Sequence, residues 1–120
     1  MRIICKKCGK DLSKNVAVVA STEVLSGSDG SDYVPEGFAY REDGKFWPSH
    51  AGSWCLNKGD VVNLAKTHNP RRLSGCCDLD GCDGPNMVCA ICGKEVATAK
   101  LDCWMPQTII FEGDNIYIAT

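Results

Sequence analysis

Apolar residues in this 120-residue chain come in short β-branched bursts separated by polar and glycine-rich turns. Residues 3–5 (Ile3-Ile4-Cys5) and 15–22 (Asn15-Val16-Ala17-Val18-Val19-Ala20-Ser21-Thr22) lean to strand, since Val, Ile and Thr dominate and the runs are short for helices. Ser26-Gly27-Ser28-Asp29-Gly30-Ser31-Asp32 reads as a solvated polar connection. Phe38-Ala39-Tyr40-Arg41 and Lys45-Phe46-Trp47 flank Glu42-Asp43-Gly44, and Asp-Gly between two such runs predicts a hairpin. Residues 48–58 show no clear period. Residues 60–66 lean to one or two helical turns, with a strand as the alternative. From 67 to 86 the chain is irregular, which is uncommon in a compact domain unless the loop is functional or ligated. The β pattern then returns at 95–98, 107–111 and 116–119, with Gly113-Asp114-Asn115 as the expected turn of a last hairpin. The pattern predicts a mainly β, mostly antiparallel domain spanning residues 1–120, with long irregular loops.

Composition narrows this picture. Twelve glycines and five prolines fit many connections and short elements. A formal charge of −2 and a pI near 5.6 give no overall attraction to phosphate backbones, which counts against a general nucleic-acid binder. Charge falls where a signal peptide would have its apolar run (Met1-Arg2-Ile3-Ile4-Cys5-Lys6-Lys7), and no stretch approaches the roughly 20 apolar residues of a membrane helix. Nine cysteines without an export signal point to a cytoplasmic protein whose thiols are reduced and bind metal rather than form disulfides.

Four of those cysteines carry the sharpest chemical signal. Cys5-Lys6-Lys7-Cys8-Gly9-Lys10 and Cys89-Ala90-Ile91-Cys92-Gly93-Lys94 are near-copies, each entered by apolar residues (Ile3-Ile4; Met87-Val88). With an offset of 84 positions the pairing continues, Asp11 on Glu95 and Leu12 on Val96. A tight Cys-x-x-Cys turn presents two sulfurs with backbone N–H groups directed toward them, and the following glycine supplies the positive φ that lets the chain turn away. Two such turns give the four thiolates of a closed tetrahedral zinc site, with Cys5, Cys8, Cys89 and Cys92 as ligands. The lysine after each glycine would soften the negative charge of the centre. Independent redox dithiols are disfavoured, because neither motif heads a helix in a βαβ setting. A closed site of this kind contributes folding energy and leaves no open position for chemistry.

Eighty residues separate Cys8 from Cys89, too many for a simple zinc ribbon. The two distant knuckles and the β content resemble the β-tent group, represented by methionine sulfoxide reductase B and Yippee-type domains. That resemblance implies sheets folded over each other around one zinc, with an extended zinc-ribbon-like domain as the alternative architecture. It carries no function by itself.

Five cysteines remain: Cys55, Cys76, Cys77, Cys82 and Cys103. Cys77 and Cys82 in the turn-rich loop, with Cys103 or His68, form a candidate second metal site, against the plainer role of buried small hydrophobes. Asp78, Asp80 and Asp83 do not make a calcium loop of the EF-hand kind, because cysteines occupy positions where acceptors are needed; they read as turn caps. A reductase would need an exposed nucleophilic thiol, and Cys103 and Cys55 are its candidates, with His50 and His68 as bases. Trp47, Trp54 and Trp104 read first as core aromatics, although some β-tent domains line pockets with such rings. Arg71-Arg72, after Asn69-Pro70, is a candidate grip for a phosphate or an acidic partner, against the plainer role of a solvated turn.

Arg71-Arg72-Leu73-Ser74-Gly75-Cys76-Cys77 through Gly84-Pro85-Asn86, then Cys89, Glu95-Val96-Ala97-Thr98 and Asp102-Cys103-Trp104-Met105-Pro106, resembles a family of small bacterial zinc-binding proteins of unknown function. The likeness covers residues 68–106, with Cys82 as a point of departure. It implies a bacterial or phage origin and marks the loop as a signature. The expected function is a cytosolic zinc-stabilised binding module with a protein partner, of inhibitor or immunity type, contacting it through Arg71, Arg72 and Trp104. Two other classes stand beside it: a thiol- or zinc-dependent enzyme related to methionine sulfoxide reductase B, and a nucleic-acid-binding zinc ribbon. An enzyme is the less favoured of these readings.

Overall fold

The computed structural model describes all residues, Met1–Thr120. Nine short strands follow one another: β1 (Arg2–Cys5), β2 (Ala17–Val18), β3 (Phe38–Arg41), β4 (Trp54–Leu56), β5 (Leu64–Lys66), β6 (Met87–Cys89), β7 (Glu95–Lys100), β8 (Thr108–Phe111) and β9 (Ile116–Ala119). The only helical segments are single 3₁₀ turns, so the fold is mainly β. No helix is long and apolar enough to cross a membrane.

The strands form two sheets. A seven-stranded sheet has the order β2-β3-β4-β8-β7-β6-β5, and β1 pairs with β9 in a separate two-stranded sheet. All pairs are antiparallel except β2 with β3. Register sorts the central side chains by face. Leu56, Ile109 and Ala99 stand in one cross-strand row and Trp54, Phe111 and Ala97 in the next, while Cys55, Ile110 and Thr98 alternate to the other face. The first face packs with Ile3, Cys5, Leu12, Val16 and Ile116 into one cluster of 14 buried residues. The opposite face is covered by Tyr33 and Val34, with Trp47 against them. Both faces of β7 and β8 are therefore buried, and their runs Val-Ala-Thr-Ala and Thr-Ile-Ile-Phe are nearly continuous in small and apolar residues.

Several expected elements differ, each for a visible reason. Glu42-Asp43-Gly44 does turn, with Gly44 at φ 91°, but β3 pairs with β4 rather than with residues 45–47. The Phe46 and Trp47 N–H groups donate instead to the buried Glu42 carboxylate, at 3.3 and 3.2 Å, so they have no ladder to join. The expected helical turns are not there: a 3₁₀ turn at Lys58–Asp60 stops at Asp60, and residues 61–66 are not helical. Asn63 sits at φ 56°, which ends any helix, and Leu64–Lys66 becomes strand β5. Only Ala17–Val18 of the 15–22 run is strand, on the sheet edge. Gly113–Asn115 is a 3₁₀ turn that carries the chain out of the large sheet, so β9 pairs with β1 and not with β8. The irregular reading of 67–86 agrees with the structure apart from one 3₁₀ turn at Pro70–Arg72.

Candidate metal centre

Each knuckle is built by the same backbone bonds. β1 ends on Cys5, whose N–H donates to the Lys10 carbonyl at 2.9 Å and whose carbonyl accepts from the Gly9 N–H at 2.8 Å. β6 ends on Cys89, whose N–H donates to the Lys94 carbonyl at 2.8 Å and whose carbonyl accepts from the Gly93 N–H at 2.8 Å. Gly9 and Gly93 adopt φ of 76° and 78°, a region an L side chain resists. Beyond the knuckles the repeat persists: Ile4 bridges to Asp11 as Val88 pairs with Glu95. The sequence offset of 84 is thus a structural repeat.

Two asparagines that sequence reasoning did not single out position these turns. The Lys6 N–H donates to the Asn115 carbonyl at 3.2 Å, and the Ala90 N–H to the Asn63 carbonyl at 2.7 Å. Asn63 also donates its side-chain amide to the Asp11 carbonyl at 2.8 Å, tying one knuckle unit to the other. The signal was faint at Asn63, an asparagine in left-handed backbone just before a β-type run.

The four sulfurs of Cys5, Cys8, Cys89 and Cys92 all lie within 4.8 Å of one another. Contacts cross between knuckles, Cys5 to Cys92 at 3.6 Å and Cys8 to Cys89 at 3.7 Å. A tetrahedron of thiolates about 2.3 Å from a zinc ion has edges of about 3.8 Å, so the donor set and its spacing fit that metal. Cys5 and Cys89 are fully buried within the main core, whereas Cys8 and Cys92 are partly exposed. The Lys94 backbone N–H helps hold the Cys92 thiol down to about 7. The Lys10 backbone N–H acts the same way on Cys8, but burial and the three neighbouring sulfurs outweigh it and push Cys8 up to about 11. Four thiols this close cannot all ionise without a cation among them, because like charges disfavour one another. A cation at the centre would replace those protons. Lys6, Lys7 and Lys94 rim a shallow depression of about 210 Å³ beside the knuckles, together with Asp114 and Asn115. The Lys6 ammonium lies over the Tyr117 ring, 5.5 Å from its centroid.

The second metal site expected from Cys77, Cys82, Cys103 and His68 is not assembled. Cys77 and Cys103 do meet, but as a disulfide, against the expectation of reduced thiols. The third group in their cluster is Asp102, neither Cys82 nor His68. The exposed Cys82 thiol faces the Asp80 carbonyl at 3.8 Å. His68 lies at the surface in a groove with Lys66, Val88 and Glu95. Two of the three aspartates cap turns: Asp78 accepts from the Leu79 N–H and Asp80 from the Cys82 N–H. Among the thiols considered as nucleophiles, Cys103 is bonded to Cys77. Cys55 is fully buried, and burial pushes its thiol well above the usual range. His50 approaches Glu112 at 3.5 Å, and burial lowers its pKa.

Of the expected contact residues, Arg71 is exposed, but Arg72 is committed internally. Its guanidinium donates to Glu95 at 2.8 Å and to the Pro85 carbonyl at 2.9 Å, clamping the long loop to the start of β7. Trp104 is 52% exposed, and its indole N–H donates to Asp102 at 2.8 Å.

No protein-family model matches this chain, and neither a characterised protein nor a solved structure does so. The four-cysteine cluster is therefore what carries the functional reading.

Proposed function

We propose that the protein is a zinc-stabilised module that binds another protein through the 67–86 loop and Trp104. The observation that carries the metal half is the meeting of four cysteine sulfurs from two knuckles 84 positions apart in the chain. Cys5, Cys8, Cys89 and Cys92 would hold the ion, and four protein ligands leave it structural. Closing the site joins β1 to β6, so metal binding and folding become one process.

Support for the contact half comes from Trp104. A large aromatic ring, half exposed yet fixed by a hydrogen bond to a buried carboxylate, is a low-entropy anchor of the type that dominates interfaces. Leu73, 38% exposed in the same loop region, adds apolar area. An acidic protein of this size suits an inhibitor or immunity-type partnership, and Arg71 offers the rim a positive charge.

The experiment has two arms. Metal analysis of the purified protein should give one zinc per chain, lost in Cys5→Ser; a folded, metal-free protein refutes the first half. Affinity capture from the native host should recover a partner that Trp104→Ala loses while keeping its zinc. A partner retained by Trp104→Ala refutes the proposed surface.

A further inference from the structure

Away from the knuckles, three cysteines converge on one carboxylate. Asp102 is fully buried, and its two oxygens accept four hydrogen bonds. One oxygen takes the Cys76 N–H and the Trp104 indole N–H, each at 2.8 Å. The other takes the Cys77 and Cys103 N–H groups, again at 2.8 Å each. These donors hold Asp102 ionised far below the ordinary carboxylate range, led by the Cys76 N–H. Cys77 and Cys103, 26 residues apart in sequence, are thereby brought to a Cα separation of 5.8 Å and joined by a disulfide on the exposed surface.

The chemistry of this cluster separates it from a metal site. A carboxylate has about four lone-pair directions, and here all four are used. Of the three cysteines only Cys77 and Cys103 bring their sulfurs into the cluster, which leaves two thiolates to hold an ion beside a negative charge that disfavours them. A disulfide, or two neutral thiols, avoids that charge. The hydrogen bonds that place Cys77 and Cys103 come from backbone N–H groups and do not involve the sulfurs. Their Cα separation of 5.8 Å lies in the range a disulfide spans, and both residues are open to solvent.

We propose that Cys77 and Cys103 form a reversible thiol–disulfide pair that exchanges with low-molecular-weight thiols. A thiolate attacks one sulfur of the Cys77–Cys103 bond, forming a mixed disulfide while the other protein sulfur leaves as a thiolate and takes a proton from water. A second thiolate attacks the mixed disulfide, releasing the second protein thiol and the small-molecule disulfide. Two electrons pass from two small thiols to the protein, and the reverse sequence reoxidises it. In a reducing compartment the pair rests as two thiols and closes under oxidation. This site is separate from the four-cysteine cluster, whose metal content stays constant through the cycle.

The test uses the full, zinc-loaded chain equilibrated in buffers of varied reduced-to-oxidised glutathione ratio, trapped with N-ethylmaleimide and mapped by peptide mass. Cys77 and Cys103 should convert together in one two-electron transition, with zinc content unchanged. Cys103→Ser should leave Cys77 carrying one glutathione under oxidising buffer, whereas Cys82→Ser should titrate like the parent. The proposal fails if both residues remain unpaired thiols under oxidised glutathione. It also fails if the disulfide resists reduced glutathione until the protein is denatured. A second zinc that protects Cys77 and Cys103 from alkylation would likewise overturn it, in favour of a metal site.

Discussion

Lowering free zinc should destabilise this protein by an amount that can be worked out before the measurement. Structural zinc sites of this donor type bind with about 10–16 kcal/mol at the molar standard state. At about micromolar free zinc, 8.2 kcal/mol of that is offset by dilution, leaving roughly 2–8 kcal/mol of linkage stabilisation. A small domain is stable by about 5–15 kcal/mol in all, so a metal bound there would account for a large share. For 120 residues the unfolding entropy is about 250 cal/mol/K, so removing the metal should lower Tm by roughly 8–30 °C. Each tenfold fall in buffered free zinc should cost about 1.4 kcal/mol and shift Tm by about 5–6 °C until the site empties. Differential scanning calorimetry in zinc–chelator buffers reads this slope directly. Cys89→Ser removes a fully buried ligand and should abolish the slope, while Cys82→Ser, outside the cluster, should retain it. A Tm independent of free zinc in the parent protein would refute the reasoning, because the clasp would then be held by packing alone.

Other consequences are testable on the same material. Asp102 has a folded pKa below its unfolded value, so its contribution is full above the unfolded pKa of about 3.9 and is lost as pH falls through the folded value. Asp102→Asn should therefore be the less stable protein near neutrality, with the gap to the parent narrowing as both are unfolded by denaturant below about pH 4. At Gly75 an added Cβ would lie 1.7 Å from the Asp78 carbonyl oxygen. Gly75→Ala should cost about 1–3 kcal/mol and loosen the loop in hydrogen exchange, whereas Gly113→Ala meets nothing within 4 Å and should be nearly silent. Phe111, fully buried where the large sheet meets the small one, should cost about 3–5 kcal/mol on substitution by alanine, read as a lower denaturant midpoint.

Much of the four-cysteine cluster was legible in the chain. Cys-x-x-Cys-Gly-Lys, written twice with apolar residues ahead of it, specifies a local turn whose hydrogen bonds close within six residues and whose glycine needs left-handed backbone. Local rules suffice for that. They also suffice for the β character of residues 3–5, 95–98 and 107–111, where the side chains themselves prefer a pleated, buried surface.

Tertiary structure decided the rest, because the deciding partners lie far away in sequence. Pairing of β9 with β1 depends on a turn at Gly113–Asn115 leaving one sheet for another, which no local pattern records. Residues 45–47 have strand-like side chains, yet the buried Glu42 carboxylate takes the N–H groups of Phe46 and Trp47. Cys77 and Cys103 look in sequence like spare ligands, and only Asp102, buried and saturated with four donors, turns them into a pair of their own. Sequence determined where the sulfurs turn. Long-range packing and the satisfaction of buried polar groups determined which sulfurs meet.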